Sequence, residues 1–145
     1  MQPSYKHYLK IIKNTCIGHE GPVTIPSEEL ADLARLAEEH CTIPFVLSAF
    51  RGTPFYPSML QRTRSMMLNY YQIDQFTRHT VSLLEDNGID CILLKGISLA
   101  SCYPVPEYRK LGDLDLYISR KSDVSKAQKL LESHGYIAEN ELSDH

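Results

Sequence analysis

Two neighbouring stretches decide the fold: Cys91-Ile92-Leu93-Leu94-Lys95-Gly96-Ile97-Ser98-Leu99-Ala100-Ser101-Cys102-Tyr103-Pro104 and Asp113-Leu114-Asp115-Leu116-Tyr117-Ile118. The apolar run from Ile89 to Leu94, bounded by Gly88 and Gly96, has no helical interruption and reads as a buried strand. Gly96 to Cys102 fits a short helix closed by Tyr103-Pro104. Tyr103 to Gly112 holds Pro104, Pro106 and Gly112 and reads as a loop. Asp113 to Ile118 then alternates as a strand does, with acids on one face and Leu114, Leu116 and Ile118 on the other. Beyond it, Ser122 is placed to cap an amphipathic helix through Val124, Ala127, Leu130 and Leu131 that stops at His134-Gly135, and Tyr136-Ile137-Ala138 reads as the start of another strand. That order implies an α+β fold, a sheet with helices packed on it.

Upstream of Gly88 the period is helical. Tyr5, Tyr8, Leu9 and Ile12 share one side of a first helix that stops before Gly18. Ser27 is placed to cap a second, with Glu28 and Glu29 in its first turn and Leu30, Leu33, Ala34 and Ala37 on one face. Pro44 interrupts the segment after this helix, and Gly52, Pro54 and Pro57 keep 51–57 out of regular structure. Ser58 with Gln61 makes a capping box for the longest helix, which carries Met59, Met66, Tyr70, Ile73, Phe76, Thr80, Leu83 and Leu84 in one stripe and ends at Asn87-Gly88. Such a stripe is a packing face rather than a ligand box, because long amphipathic helices draw their stability from the buried side. The change of period divides the chain into an N-terminal helical region, 1–87, and a sheet-containing core, 88–145.

Composition narrows the function classes. The 145 residues suffice for one compact domain or for one with a helical appendage, and 43% hydrophobic against 23% charged residues excludes a disordered chain. Fifteen Lys and Arg against 18 Asp and Glu give a net charge of -3, which excludes bulk nucleic-acid binding by counterion release. No apolar run approaches the ~20 residues that cross a bilayer, and Met1 to His7 lacks a signal peptide's apolar stretch, so a cytoplasmic location without a membrane partner is expected. Cys16, Cys41, Cys91 and Cys102 include no C-x-x-C. The one zinc set that can be drawn, Cys16, His19, His40 and Cys41, breaks the ligand spacing, and Cys91 reads as a small core residue. No H-R-D, D-F-G or G-x-S-x-G occurs, which disfavours kinase and hydrolase chemistry.

Asp113 and Asp115 stand two apart on the expected strand, with Cα atoms about 6–7 Å apart, so their carboxylates can converge on one cation. Hard divalent ions commonly take one or two protein carboxylates and complete their shell with water and substrate phosphates. A half-exposed strand with a wet acidic face shows the same pattern, so the acids alone do not decide. Lys95-Gly96, at the turn from strand to helix, suits a phosphate through free backbone N–H groups, the glycine and a mobile ammonium; it equally suits a turn glycine beside a solvated lysine. Arg109 either forks onto a phosphate or pairs with Asp113 or Glu107.

From Cys91 to Ser119 the chain resembles the nucleotidyltransferase superfamily that includes DNA polymerase beta. More narrowly, it resembles an uncharacterised bacterial branch whose motif runs L-L-K-G, Y-P, R, then D-(I or L)-D-L, matched by Lys95, Gly96, Leu99, Tyr103, Pro104, Arg109, Asp113 and Asp115. The resemblance implies a mixed sheet with helices. It implies a nucleoside triphosphate at Lys95, Gly96, Ser98 and Arg109, and Mg2+ or Mn2+ on Asp113 and Asp115 as metal ligands and catalytic residues. The implied reaction is attack by a hydroxyl of an unidentified acceptor on the α-phosphate, with release of pyrophosphate. Most superfamily members carry Gly-Ser where Lys95-Gly96 stands, and Ser98 replaces that hydroxyl only if the helix starts early. The third carboxylate that the superfamily places on a later strand has no counterpart, since Glu139, Glu141 and Asp144 come too early. The core is therefore expected to be incomplete, with an exposed sheet edge suited to a homodimer. The alternative is a catalytically degenerate module of the same fold that binds nucleotide or protein through apolar surface at Phe50 to Tyr56 and Tyr103 to Tyr108.

Overall fold

The structure, a computed structural model, describes residues 3–18 and 23–138. Helices α1 (Pro3–Ile17), α2 (Leu30–Glu39), α3 (Ile43–Val46) and α4 (Tyr56–Asp86) precede strand β1 (Cys91–Leu94), helix α5 (Gly96–Ala100), strand β2 (Asp115–Ile118) and helix α6 (Lys121–Ser133). The class is α+β, as expected. Its sheet, among the described residues, is two antiparallel strands rather than a mixed sheet, with Cys91 opposite Ile118 and Leu94 opposite Asp115.

The first core gathers around Leu33, Val46 and Phe50, which are wholly buried, with Tyr8 and Ile11 of α1, Ala37 of α2, Ile43 of α3 and Met59 of α4. Phe55 and Tyr56 pack against it, so the aromatic residues of Phe50 to Tyr56 serve a core rather than the exposed contact surface expected from the sequence, while Arg51, Gly52 and Pro54 between them are exposed. Ser27 lies in a 3₁₀ turn, Ser27–Glu29, and caps nothing; Glu29 of that turn instead meets His7 Nδ1 at 2.7 Å. Pro44 sits in the first turn of α3, where its missing N–H costs nothing, so it starts a helix rather than interrupting one. The end of α2 is a Schellman turn: Thr42 N donates to Ala37 O at 2.8 Å and Cys41 N to Glu38 O at 3.1 Å. Cys41, at φ 55, occupies the left-handed position that glycine usually takes there.

Helix α4 spans 31 residues, about 45 Å by helical rise. It begins at Tyr56 because Pro57, with its fixed φ, suits the first turn. Ser58 is therefore already inside the helix and donates to Phe55 O at 3.0 Å, and the capping box does not form. The buried positions are Met59, Thr63, Thr77, Thr80 and Leu84, while Met66, Tyr70, Ile73 and Leu83 are half-buried and Phe76 is exposed. Two threonines absent from the expected stripe thus hold its middle, and the hydroxyls of Thr63 and Thr77 find no hydrogen-bond partner among the described residues.

The second core is Leu84, Ile89 and Ala127, with Cys91, Leu116, Ile118 and Leu130 against it. Only one face of the sheet is covered, so β1 alternates instead of being buried on both sides: Ile92 is 57% exposed and Tyr117, opposite it, 52%. Cys91 is half-buried on the covered side, where desolvation, then Glu85 and Asp90, push its thiol pKa up. Ser122 falls inside α6 with Arg120 at the cap position, and Val124 is exposed. Asp123 is buried instead. Lys126 Nζ lies 3.0 Å away and holds its carboxyl below the usual carboxylate range. Residues 136–138 form no strand; the Tyr136 ring packs 5.8 Å from Phe76 and its hydroxyl lies 3.1 Å from Thr80 Oγ1. Glu139, Glu141 and Asp144, like His19, lie outside the described residues. Among those residues no helix is long and apolar enough to cross a membrane.

Leu84 is fully buried and Leu68, on the same helix, is 60% exposed. Leu84→Ala is expected to cost about 2–5 kcal/mol in urea unfolding and Leu68→Ala no more than about 0.5 kcal/mol; equal losses would contradict this placement of α4.

Candidate functional site

The turn after β1 is set by backbone geometry. Lys95 takes φ 35 and ψ -142, and Gly96 takes φ 35, so two successive residues lie at positive φ, a region costly to lysine and open to glycine. A Cβ built on Gly96 would stand 3.5 Å from Asp113 O, which puts the turn against the segment that leads into β2. Helix α5 is only five residues long, little more than one turn, so its dipole offers an anion less than a full helix would. Ser98 N and Oγ both donate to Lys95 O, at 2.9 and 2.5 Å, so the Ser98 hydroxyl proton is turned back into the turn.

Asp115 opens β2 on the uncovered face of the sheet, and its Oδ2 lies 3.3 Å from Lys95 Nζ; the side chains are 30% and 72% exposed. Asp113 is exposed just before the strand, which is two residues shorter at this end than its sequence suggests. Arg109 pairs with neither Asp113 nor Glu107. Its Nε donates to Gly96 O at 3.0 Å and its Nη1 to Tyr103 OH at 3.0 Å. The guanidinium thus ties the loop before the acids to the turn after β1, leaving Nη2 without a hydrogen bond among the described residues. The structure brings Lys95, Gly96, Arg109, Asp113 and Asp115 to one end of the sheet, with Ser98 one turn along.

That loop is fastened from behind by α4, through residues that carried no sequence signal. Asn69 Nδ2 donates to Leu111 O at 2.7 Å, and Tyr71 OH donates to Glu107 Oε1 at 2.7 Å. The Tyr71 hydrogen bond lowers the Glu107 pKa, and the same bond raises that of Tyr71.

Among the described residues no group of three or more His, Cys, Asp or Glu side chains is placed to hold a metal. Two carboxylates of hard oxygen fit an ion such as Mg2+ that keeps waters and accepts phosphate oxygens, not a cage made wholly of protein groups. Lys95 occupies one of those oxygens.

Asp115 at the start of β2 meets Lys95 of the tight turn that leads from β1 into α5, and Asp113 lies two residues before it, its backbone against Gly96. The chain belongs to a family of uncharacterised nucleotidyltransferases, which matches it over residues 26–145 and so includes the whole site. It matches none of the curated proteins and none of the solved structures with which it was compared.

Arg109→Lys keeps the charge but cannot span Gly96 O and Tyr103 OH together. A loss of about 1–2 kcal/mol in urea unfolding is expected, and an unchanged midpoint would deny the clamp. Because the folded pKa of Glu107 is depressed, its bond to Tyr71 stabilises the fold above the ordinary carboxylate range and is lost as pH falls through the lowered value. Tyr71→Phe should move the Glu107 titration up toward the ordinary carboxylate range, read from its side-chain carboxyl carbon by NMR.

Proposed function

We propose that this chain transfers a nucleoside monophosphate from a nucleoside triphosphate to a hydroxyl of an acceptor, with residues 1–87 forming a helical region packed on a nucleotidyltransferase core at 88–145. What supports the reading is the convergence of Lys95 on Asp115 at 3.3 Å, which joins the turn after β1 to the first residue of β2 in a chain of this family. Asp113 and Asp115 would hold Mg2+ or Mn2+, which when bound stabilises charge on the attacking and leaving oxygens. Lys95, on a long exposed stem, offers its ammonium to the triphosphate, and Gly96 lets a phosphate approach the backbone. Ser98 shapes the turn. Arg109 contributes chiefly by holding that turn and has Nη2 left for an anion. The acceptor oxygen forms a bond to the α-phosphorus as the bond to pyrophosphate breaks, and the hydroxyl proton passes to water.

A second reading, a nucleotide-binding module without turnover, is favoured by one observation: Lys95 already neutralises Asp115, and no third acid joins them among the described residues.

Thermal unfolding with ATP, GTP, CTP or UTP and Mg2+ or Mn2+ tests both readings. The wild type should gain stability that an Asp113→Asn, Asp115→Asn double variant lacks. Identical responses would remove the metal site, and a gain with no pyrophosphate release in the presence of hydroxyl acceptors would select the binding module.

A further inference from the structure

We propose that the uncovered face of the sheet is where the acceptor binds, and that the acceptor is an uncharged aromatic compound with a hydroxyl on its ring. The acceptor role rests on the transfer reading; the ring-binding chemistry stands on the face itself. In the antiparallel register Ile92 lies opposite Tyr117 and Leu94 opposite Asp115. Side chains two apart on a strand share a face, so these four belong to the side that the second core leaves uncovered. Ile92 is 57% exposed, Tyr117 52% and Leu94 40%. An ion pair stands at either end of this strip, Lys95 with Asp115 at 3.3 Å and Arg120 with Asp90 at 3.9 Å. Leu94, Ile92 and Tyr117 form the apolar surface between them.

The stereochemistry of transfer selects this face. An in-line displacement at phosphorus sets the attacking oxygen opposite the leaving pyrophosphate. The turn at Lys95 and Gly96 lies past the end of β1, and a pyrophosphate held there departs on that side. The attacking oxygen therefore comes from the other side of Asp115, where the sheet runs back through Leu94 to Ile92 and Tyr117. Asp115 and Tyr117 are two residues apart on one strand, about 6–7 Å by strand rise, so the acid and the ring can serve the two ends of one small molecule. The side chains define that molecule. Tyr117 offers an aromatic face for offset or edge-on contact with a second ring, and Ile92 and Leu94 gain by losing water. A carboxylate or phosphate laid over them would forfeit its hydration with no cation among the three. In the transfer the ring oxygen forms its bond to the α-phosphorus as the bond to pyrophosphate breaks, and the hydroxyl proton passes to water.

Amide NMR of the labelled full chain, titrated with 4-methylphenol, benzoate and glycerol, tests this. 4-Methylphenol should move amides in 91–94 and 115–118 and bind at least about tenfold more tightly than benzoate, which is charged, or glycerol, which has no ring. Tyr117→Thr should weaken 4-methylphenol about tenfold, Ile92→Thr about threefold, and Tyr117→Phe, which keeps the ring, not at all. Threonine is β-branched and suits a strand, so both threonine variants should keep the wild-type spectrum elsewhere. Equal affinity for benzoate, or shifts confined to other segments, overturns the proposal. Displacement of 4-methylphenol by ATP with Mg2+ does so too, since the nucleobase would then lie on the face, as does a wild-type dimer that Tyr117→Thr dissociates, since a second copy would then cover it. With ATP and Mg2+ present, 4-methylphenol should raise pyrophosphate release. Binding on this face without that rise, in a chain whose ATP response depends on Asp113 and Asp115, overturns the acceptor role. Failure of the transfer reading is distinct: an ATP response insensitive to loss of both acids.

Discussion

At one end of α4 Met59 is buried with Phe50 and Val46, and at the other Leu84 is buried with Ile89 and Ala127. The backbone between them is one continuous run of helical hydrogen bonds. The separation of the two cores is therefore fixed by helical rise, about 1.5 Å per residue, rather than by any contact between the cores themselves. The loop from Tyr103 to Gly112 lies along this rod and is held to it at Asn69 and Tyr71, and through that loop Arg109 reaches the turn after β1. Site geometry follows from where a helix of the N-terminal layer happens to pass.

Magnitudes separate the two basic residues of the site. An exposed ion pair such as Lys95 with Asp115 is worth about 0–1 kcal/mol, whereas hydrogen bonds made by a charged donor contribute about 1.5–3 kcal/mol each. Arg109 makes two of the latter kind, to Gly96 O and Tyr103 OH. Arginine belongs to the scaffold and lysine to the solvent, so Lys95 can leave its partner at small cost and Arg109 has only its remaining nitrogen free of the scaffold. The backbone strain at Lys95, whose φ is 35, lies beside the group with the freest charge.

Periodicity made α1, α4 and β2 legible, because buried apolar side chains must recur with the element's own repeat, and an unbroken apolar run marked β1. Helix starts were not legible. Ser27, Ser58 and Ser122 each had the chemistry of a cap, but Pro57 drew α4 back to Tyr56, Ser27 fell into a 3₁₀ turn, and α6 opened at Lys121. A proline with the right φ outweighs a hydroxyl with the right spacing. The middle of α4 misled for another reason: threonine is buried there because neighbours surround it, not because it seeks burial. At the site, Lys95, Gly96 and Asp115 could be found because they terminate paired strands. The partner of Arg109 could not be found, since a backbone carbonyl looks the same at every position and a bond from residue 109 to residue 96 leaves no mark in the spacing. The same silence covers Asn69 and Leu111.

Polar fastening of the loop has a dynamic corollary. Apolar packing in the two cores is lost only when the chain unfolds, but the segment from Pro106 to Leu111 is joined to α4 by two side-chain hydrogen bonds, from Asn69 to Leu111 O and from Tyr71 to the half-buried Glu107. Each such bond contributes on the order of 1 kcal/mol in water, far less than the 5–15 kcal/mol typical of global unfolding. Either bond can open alone while both cores stay intact, a local excursion well short of unfolding, whereas release of the whole strap also uncovers Leu111 and parts Tyr108 from Phe45.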